Sequence, residues 1–412
     1  MTSSEICHGV WLGAQKVGLL RQRGDYTWFE FCAEYLADPA RPVLGLHFEQ
    51  NLQARRASAL RLPPWFSNLL PEGRLREWVA EDRGVSVERE MELLAQVGHD
   101  LPGAVRVLPD ESQDSLHWEL VTHENDAPAH EDDHPGWRFS LAGVMLKFSM
   151  VREGDRLTLP GSGAGGDWIV KLPDRIYPNV PLNEFAMMSL AKAAGIEVPE
   201  VRLVHRDQIE GLPPNVWPVH EEWAYAIQRF DRSGDGTRIH IEDLAQVRGI
   251  YSDRKYIGNY ETVASLIYRR RDVKSLQEFA RRLAFSVLIS NGDMHLKNWS
   301  LIYRDPRIPA LAPAYDFVAT DVYRDESDPE TLGLRFGKTK LFDRISVRTF
   351  ARLQEKLFVP DAQLPDIVAE MVERVVDEWP CAADMLTSSP LILERVAKSI
   401  EVRSKSLLQS GQ

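Results

Sequence analysis

The chain has 412 residues, of which 44% are hydrophobic and 27% charged, an ordinary composition for a globular protein with two substantial cores or one bilobal unit. Its formal net charge of −12 argues against sequence-independent DNA binding by the whole surface, because phosphate contacts need a basic face; contact through a DNA-binding partner stays open. Three widely spaced cysteines, no apolar run of membrane-spanning length and no secretory signal pattern predict a cytoplasmic enzyme without a disulfide framework, a zinc site or a membrane partner.

Residues 1–109 are predicted to form a first unit that begins with a small antiparallel sheet. Apolar and polar residues alternate along residues 9–36, and short polar turns interrupt them. After this sheet, Asn68, Glu72 and Arg74 are interpreted as local capping and turn residues, with a functional role as the alternative.

Residues 110–136 change character abruptly, since they are acidic and poor in apolar side chains. Four histidines lie in this segment: His117, His123, His130 and His134. Their spacings do not repeat and no single face collects them, so a solvated linker is favoured over a metal site. The segment is therefore interpreted as an acidic linker between the first unit and a catalytic unit.

Residues 137–230 are predicted to form a lobe that binds a nucleotide. The part from 137 to 150 has the pattern of two apolar strands around a small-residue hinge, Ala142-Gly143. A flexible loop between strands, over which phosphates can pack, is a feature that a nucleotide site needs. Taken alone this pattern is also that of a β-bulge, which a glycine in a strand usually marks.

Lys171 lies inside the apolar strand pattern of residues 168–173, where an ammonium group is costly to bury unless it meets a charge. Glu184 lies near the start of a helix predicted over residues 182–194. The two side chains could pair, as the strand lysine and the helix-C glutamate do in kinases. The alternative is a snorkelling lysine and a first-turn glutamate favoured by the helix dipole.

The apolar strand pattern of residues 224–232 ends in a charged stop, where a bilobal kinase has the crossover between its lobes. A mainly helical pattern follows from about residue 240 and predicts a C-terminal lobe over residues 231–412. Helices are predicted at residues 74–81, 87–97, 182–194, 259–269, 276–289, 347–356, 364–378 and 391–408. A mixed part followed by a mostly helical part predicts the α+β class, with a bilobal, protein-kinase-like fold.

The segment from Ser290 to Asn298 carries the chemistry on which this interpretation depends. Asp293 and Asn298 lie on a loop between a predicted helix and a predicted strand, with the D-x-x-x-x-N spacing of the protein-kinase catalytic loop. Phosphoryl transfer uses such a pair: a carboxylate beside the attacking hydroxyl and an amide oxygen on a metal ion. Asp316 lies where a kinase keeps its magnesium-binding aspartate. Asn-Gly replaces His-Arg before Asp293, and Val318 replaces the glycine of D-F-G, so a divergent kinase is predicted.

In order and spacing, these landmarks resemble the HipA family of bacterial serine/threonine kinase toxins, the kinase half of type II toxin–antitoxin pairs. The resemblance spans nearly the whole chain, and no single segment decides it. The segments that carry it are Asn68-Leu69-Leu70-Pro71-Glu72-Gly73-Arg74, Ser140-Leu141-Ala142-Gly143, Ile169-Val170-Lys171-Leu172-Pro173, Asn183-Glu184, Gln228-Arg229-Phe230-Asp231-Arg232, His240-Ile241-Glu242-Asp243-Leu244-Ala245-Gln246, Asn291 to Asn298 and Tyr315-Asp316.

The resemblance implies ATP and Mg²⁺ as cofactors and a role for each matching residue. Asp293 would be the catalytic base, and His295 and Lys297 would position or neutralise the transferring phosphoryl group. Asn298 and Asp316 would bind magnesium. The residues implied in nucleotide binding are Ala142, Gly143 and Lys147 of the phosphate-covering loop, Lys171 with its orienting Glu184, and Gln228, Phe230 and Asp231 at the crossover. Ser140 would be autophosphorylated, which would add about −1.5 to −2 charges to that loop and switch the kinase off.

Two positions depart from the family's pattern. Val144-Met145-Leu146 stands where many members have Ala-Gln followed by a polar residue, and this difference affects how the loop would hold the nucleotide. Gln228 stands where a glutamate is common, which bears on one hydrogen bond to adenine. Neither departure removes a catalytic group.

Three functions stay open from the sequence. The first is an active protein kinase toxin, for which the family points to an aminoacyl-tRNA synthetase as substrate and a dimeric, HipB-like helix-turn-helix antitoxin as partner, with DNA contacted only through the antitoxin. The second is a kinase-like co-repressor that docks on that antitoxin at operator DNA, and the third is a small-molecule phosphotransferase. Intact Lys171, Asp293, Asn298 and Asp316 favour the first over the second, since a scaffold needs none of them. The first unit and the Ser140 loop speak against the third.

Overall fold

The computed structural model describes residues 5–54, 57–110, 146–154, 156–158, 165–212, 216–218 and 220–409. Several sequence-based predictions fall on residues 111–145. Most of the acidic linker with its four histidines, and the loop with Ser140, Ala142 and Gly143, therefore lie outside the described residues.

The described strands form three sheets. The strands are β1 Glu5–Leu12, β2 Gln15–Arg23, β3 Tyr26–Phe31, β4 Ser58–Ala59, β5 Val105–Pro109, β6 Lys147–Glu153, β7 Arg156–Thr158, β8 Trp168–Lys171, β9 Val201–His205, β10 Ile209–Glu210, β11 Trp223–Gln228, β12 His240–Asp243, β13 Ser300–Tyr303 and β14 Ala310–Leu311. The strand orders are β4-β3-β2-β1-β5 in the first sheet, β10-β7-β6-β8-β11-β9 in the second and β12-β13-β14 in the third.

Most residues of the described α-helices lie in the second half of the chain, where the helices are longer. They are α1 Ala33–Ala37, α2 Leu46–Glu49, α3 Pro64–Ser67, α4 Gly73–Asp82, α5 Glu90–Val97, α6 Val180–Ala193, α7 Leu244–Arg248, α8 Tyr260–Tyr268, α9 Val273–Leu288, α10 Val347–Leu357, α11 Leu364–Met385 and α12 Pro390–Leu408. The mixed first half and helical second half confirm the predicted α+β class and the bilobal, kinase-like architecture.

The first sheet is an antiparallel meander, as the alternating pattern predicts. Strands β1, β2 and β3 pair in sequence order, and Gly24 makes the turn between β2 and β3 with a φ of 56°. This left-handed conformation carries no Cβ penalty for glycine, which is why a two-residue turn suffices there. We call the described part of residues 5–109 the N-terminal unit.

The second sheet, with strands between residues 147 and 228, forms the N-lobe, and its two faces are covered differently. Phe148 and Trp168 on one face share a hydrophobic core with the N-terminal unit, where they join side chains such as Trp65. Tyr225 and Ile227 on the other face belong to a second core, which also contains buried residues of α6, α9 and α11. The N-terminal unit is therefore the outer layer of the N-lobe sheet, as the two-layer rule for sheets requires.

The C-lobe, which follows β11 in the chain, is built around α9. Leu276, Phe279, Leu283 and Val287 are fully buried and recur at helical spacing, so one face of this helix lies in the larger core. Asp272 caps the helix N-terminus by accepting a hydrogen bond from the Ser275 backbone N–H at 2.9 Å. The helix ends directly before the loop that carries Asp293, and it places that loop at the edge of the core.

The predicted helices agree with the structure to within a few residues at most ends, and α11 is the main exception. The sequence predicts its end at Glu378, but the helix continues through Pro380 to Met385. A proline inside a helix removes one backbone hydrogen bond and costs about 3 kcal/mol. Burial of Ala382 and Leu386 on the far side of the proline offsets part of this cost.

The N-terminal unit also touches the C-lobe directly. The carboxylate of Glu242 on β12 is fully buried, and it accepts hydrogen bonds from Leu46 N at 2.9 Å, Trp65 Nε1 at 3.1 Å and Tyr303 OH at 2.5 Å. Burial raises the pKa of Glu242 to about 7 against the effect of these three donors. The N-terminal unit therefore contacts both lobes, which positions it beside the cleft between them.

Candidate active site

A cleft of about 240 Å³ opens where the N-terminal unit, the N-lobe and the C-lobe meet. Eleven of the site residues predicted from the sequence line it. They are Lys147, Lys171, Glu184, Gln228, Phe230, Asp231, Asp293, His295, Lys297, Asn298 and Asp316. The predicted site residues that the structure describes are thus brought together in one place.

Lys171 lies at the end of β8, and its ammonium group meets two carboxylates. Its Nζ lies 2.6 Å from Glu184 Oε1 on α6 and also contacts Asp316 Oδ1. Burial would lower the pKa of Lys171, but Asp316 and Glu184 outweigh it and raise that pKa above its ordinary value. The predicted pairing of Lys171 with Glu184 is therefore present, and the pair is buried, with Glu184 only 1% exposed.

Asp316 is held in a strained backbone conformation. Its φ is 59°, in the left-handed region that a non-glycine residue rarely adopts, at a cost of the order of 1–3 kcal/mol. Burial would raise the pKa of its carboxyl group, but Lys171 and Lys147 outweigh it and hold that pKa below its usual value. The backbone strain thus directs an ionised carboxylate into the cleft.

A second lysine faces the same charges from the neighbouring strand. Lys147 on β6 is paired in register with Lys171 on β8, so the two side chains lie on one face of the sheet. Burial, together with the charge of Lys171, lowers the pKa of Lys147 to about 8 against the opposing pull of Asp316. Two cations on one face of the sheet, with an ionised aspartate against them, form a site suited to a polyanion with a bound cation.

The loop that carries Asp293 is fixed by hydrogen bonds at both ends. Asn291 Oδ1 accepts from Asp293 N at 3.0 Å, and Asn298 Nδ2 donates to the Asp293 carbonyl at 2.7 Å. A Cβ on Gly292 would come within 2.5 Å of the Thr331 carbonyl oxygen, so glycine is required there. This close approach is a physical reason for glycine at position 292, where many kinases have arginine.

The Asp293 carboxylate points into the cleft, and two aromatic side chains approach it. Its side chain is 51% exposed, and Tyr256 OH donates a hydrogen bond to its Oδ1. His295 Nε2 lies 3.7 Å from the same oxygen. Desolvation by the cleft walls raises the pKa of Asp293 despite the Tyr256 hydrogen bond, while burial lowers that of His295 to about 3. His295 is therefore a neutral imidazole at neutral pH and can position a phosphoryl group, but it does not neutralise its charge in this state.

The ammonium group of Lys297 contacts several polar groups from other parts of the chain. Its Nζ donates to the Asn68 carbonyl at 2.9 Å and to Asn68 Oδ1 at 3.2 Å. It also lies 3.0 Å from Glu72 Oε1 and 3.5 Å from Asp243 Oδ2. These contacts favour a role in tying the catalytic loop to the N-terminal unit over the predicted neutralisation of a phosphoryl group.

At the crossover between the lobes, Phe230 and Asp231 face different surroundings. The Phe230 ring stacks on Tyr315 with a centroid distance of 5.7 Å and an interplanar angle of 29°, which gives one end of the cleft a flat apolar wall. The Asp231 carboxylate accepts from Arg229 at 2.8 Å, Arg232 at 2.9 Å and Gly103 N at 2.7 Å. Asp231 therefore fixes the crossover to the N-terminal unit, and its oxygens are occupied without a nucleotide.

Three residues in or beside the cleft were given other roles, or none, by sequence reasoning. Glu72 is the N-cap residue of α4, but its side chain makes no cap bond and instead reaches Lys255 Nζ at 3.0 Å as well as Lys297. A glutamate beside a run of buried apolar residues is the signal that could have drawn attention to it. Nothing in the sequence marks Lys255, which lines the cleft, or Tyr256, which contacts Asp293, as a site residue.

The oxygen donors in the cleft fit a magnesium ion bound together with phosphates. Asn298 uses Nδ2 on the loop, so its Oδ1 is the group it can offer to a cation, and Asp316 offers a carboxylate. Among the described residues, no group of three or more His, Cys, Asp or Glu side chains could hold a metal by itself. Mg²⁺ commonly binds through one or two carboxylates plus substrate phosphates, which is the donor set available here.

These features define the class of protein. A bilobal fold, an ion-paired strand lysine and a D-x-x-x-x-N loop in one cleft are the arrangement of kinase-like proteins. In the part of the chain that the structure describes, no helix is long and apolar enough to cross a membrane.

Comparison with known proteins gives the family. The model of the HipA-like C-terminal domain matches residues 139–379, and that of the HipA N-terminal domain matches residues 8–108. The chain is 44% identical over 362 residues to a Sinorhizobium fredii protein named "Putative kinase Y4dM", covering 86% of each chain. It is 28% identical over 290 residues to the serine/threonine-protein kinase toxin HipA of Shewanella oneidensis, covering 63% of each. The chain belongs to the HipA family of kinases.

A solved structure has the same fold over nearly the full length. It is the complex of HipA, HipB and operator DNA from the Shewanella oneidensis MR-1 toxin–antitoxin system, with a TM-score of 0.74, 21% sequence identity and 97% of both chains covered. The match extends over the N-terminal unit as well as both lobes.

Proposed function

We propose that this protein is an ATP-dependent serine/threonine protein kinase that acts as the toxin of a toxin–antitoxin pair. One observation carries the proposal: the buried cluster of Lys171, Glu184 and Asp316 lies in the same cleft as Asp293 and Asn298. Phosphoryl transfer is mostly positioning plus electrostatic stabilisation, and these are the groups it needs.

In this proposal each side chain has one task. Lys171, oriented by Glu184, holds the phosphates of the bound nucleotide, and Lys147 adds a second positive charge beside it. Asp293 accepts the proton of the incoming serine or threonine hydroxyl as the oxygen attacks the γ-phosphorus and the bond to ADP breaks. His295, which is neutral, holds an oxygen by a hydrogen bond, and the stacked Phe230 and Tyr315 rings offer an apolar wall to the base.

Asn298 and Asp316 would hold magnesium. When bound, the ion neutralises charge on the phosphate oxygens. Asp316 contacts Lys171 in the present structure, so binding of a cation and nucleotide requires the aspartate to exchange this partner for the ion.

The substrate and the partner are also proposed. Membership of the family supports a protein of the translation machinery, such as an aminoacyl-tRNA synthetase, as the substrate. It supports a HipB-like helix-turn-helix antitoxin dimer as the partner, and the net charge of −12 suits a basic DNA-binding protein. Autophosphorylation of Ser140 is proposed as the off-switch, because a phosphate on the loop that must cover the nucleotide repels the phosphates beneath it.

The test is a phosphorylation assay on the whole protein. Purified protein is incubated with magnesium and labelled ATP beside an Asp293→Ala variant, and any phosphate is located by mass spectrometry. Label on Ser140 in the wild type but not in the variant is the expected result. Absence of label from both, with the starting protein shown to be unphosphorylated, would refute kinase activity and leave a co-repressor that docks on the antitoxin as the better function.

A further inference from the structure

The contact between Tyr256 and Asp293 places a hydroxyl on the proposed catalytic base before any substrate is present. Tyr256 OH donates a hydrogen bond to Asp293 Oδ1. An incoming serine or threonine must present its hydroxyl to the same carboxylate for its proton to be removed. The phenol therefore has the hydrogen-bonding relation to the base that the acceptor will have.

The chain fixes the backbone of Tyr256 beside the catalytic loop. Leu296 N donates to the Lys255 carbonyl at 3.2 Å, and Lys255 Nζ lies 3.0 Å from Glu72 Oε2. On the other side of the tyrosine, Arg248 Nη1 donates to the Ile257 carbonyl at 2.8 Å. Anchors on both sides mean that the position of the phenol is set by the fold and not by a free loop.

The Tyr256 side chain is partly exposed, so it has space to rotate away from Asp293. Tyr256 is 43% exposed, although its ring packs edge to face against His295 at a centroid distance of 4.9 Å. Rotation of the phenol away from Asp293 breaks one hydrogen bond to a charged group and the edge-to-face contact with His295. A second hydroxyl that offers the same hydrogen bond can therefore take its place.

The exposure of the Asp293 carboxylate shows that the Tyr256 phenol takes a position that water would otherwise occupy. The side chain is 51% exposed, so without Tyr256 water would occupy that hydrogen-bonding position on Oδ1. His295 Nε2, 3.7 Å from the same oxygen, covers it from another side. A water held by the base beside bound ATP is the nucleophile for hydrolysis, which consumes ATP without phosphorylating a protein.

We propose that Tyr256 is a positioning residue whose hydroxyl acts as a surrogate acceptor, holding Asp293 and keeping water from it until a protein hydroxyl displaces the phenol. The inference rests on the proposed function. In the reaction that Tyr256 suppresses, a water oxygen attacks the γ-phosphorus, its proton passes to Asp293 and the bond to ADP breaks, giving ADP and inorganic phosphate.

The test measures ADP formation from ATP and magnesium in the absence of a protein substrate. Tyr256→Phe removes only the hydroxyl that bonds Asp293, and Tyr251→Phe is the matched control, because Tyr251 OH bonds to Ser58 Oγ at 3.2 Å and not to Asp293. All variants carry Ser140→Ala, so that the proposed self-inactivation does not end the measurement. A fluorescent ATP analogue checks that each variant binds nucleotide.

The expected result is a rise of about ten-fold in ADP formation for Tyr256→Phe, a factor that corresponds to about 1.4 kcal/mol and to the lower end for a hydrogen bond to a charged group. Tyr251→Phe should match the Ser140→Ala parent, and adding Asp293→Ala should abolish the gain. A merely structural role for Tyr256 predicts a loss of activity, not a gain.

Three other outcomes would count against the inference. If the parent transfers phosphate in an Asp293-dependent way and Tyr256→Phe hydrolyses ATP no faster, the surrogate role is wrong while the proposed function stands. Phosphate found on Tyr256 would also overturn it, because the phenol would then be a true acceptor. If ATP binds but no variant transfers phosphate to water or protein, the proposed function fails and this inference fails with it.

Discussion

Replacing Glu72 by Gln tests whether the N-terminal unit holds the catalytic loop in place. The Glu72 carboxylate lies 3.0 Å from Lys297 Nζ and 3.0 Å from Lys255 Nζ, and its side chain is only 13% exposed. Gln keeps the shape but removes the charge between two ammonium groups. Removing one partner of a buried ion pair typically costs about 3–5 kcal/mol, because the remaining charge is left without compensation.

The pKa of Glu72 gives a second route to the magnitude. Burial would raise the pKa of this carboxyl group, but Lys297 and Lys255 outweigh it and lower the pKa from 4.5 to about 2. At 1.36 kcal/mol per pH unit, this difference corresponds to about 3 kcal/mol. Because the folded-state pKa is depressed, the stabilisation is present above pH 4.5 and is lost as the pH falls toward 2. Glu72→Gln should therefore cost about 3 kcal/mol at pH 7 and much less near pH 3.

The assay is urea unfolding at both pH values, with the rate of phosphoryl transfer measured at pH 7. We expect a lower midpoint and a lower rate at neutral pH, since Lys297 belongs to the loop that carries Asp293. Glu81→Gln on the exposed face of the same helix is the matched control and should change neither. Equal midpoints for Glu72→Gln and wild type at pH 7 would refute the reasoning.

Three further changes test other parts of the structure. Lys171→Met removes the ammonium between Glu184 and Asp316 and should lower the rate of transfer from labelled ATP about 100-fold, with the fold retained. Asp231→Asn leaves Arg229 without its closest carboxylate and should lower the free energy of unfolding by about 3–5 kcal/mol, measured by denaturant. His240→Gln should reduce the loss of stability on acidification. Burial lowers the pKa of His240 from 6.5 to about 4, so the free energy of unfolding of the wild type falls by about 3 kcal/mol between these pH values.

Each of these predictions has a contrary outcome, and the one for Asp231 also has a control variant. Transfer by Lys171→Met at the wild-type rate would remove this lysine from the proposed mechanism. For Asp231→Asn the control is Asp235→Asn on the exposed turn that follows. Equal effects of the two substitutions would contradict the role of Asp231 in fixing the crossover to the N-terminal unit. For His240→Gln, midpoints that fall in parallel with the wild type from pH 7.5 to 4.5 would show that another group is responsible.

The parts of the fold that sequence predicts well are those set by local patterns. The helix that contains Phe279 and Leu283 is recognisable because its apolar residues recur every three or four positions and one face is buried. The first sheet is recognisable because its strands alternate and short turns separate them. The end of α11 was misplaced because packing beyond Pro380 outweighs the local preference of proline.

The parts of the site that sequence predicts poorly depend on contacts between distant segments. Glu72 was interpreted as a capping residue, since a glutamate before a helix is usually explained locally, and its partner Lys297 lies more than two hundred residues away. Tyr256 carries no motif, and only the folded chain brings its hydroxyl to Asp293. The pair of Lys171 and Glu184 could be predicted from the sequence because its strand and helix are adjacent in the chain and a buried charge requires a partner.

The double attachment of the N-terminal unit has a mechanical consequence. This unit shares a hydrophobic core with the N-lobe sheet, and it is bonded to the C-lobe through Asn68, Trp65 and Leu46. A two-lobed enzyme usually opens by rotation about its single crossover. Here the N-terminal unit bridges the two lobes on one side of the crossover, so the lobes cannot separate without breaking buried ionic contacts. For the proposed kinase, this arrangement favours nucleotide exchange through small displacements at the open rim of the cleft.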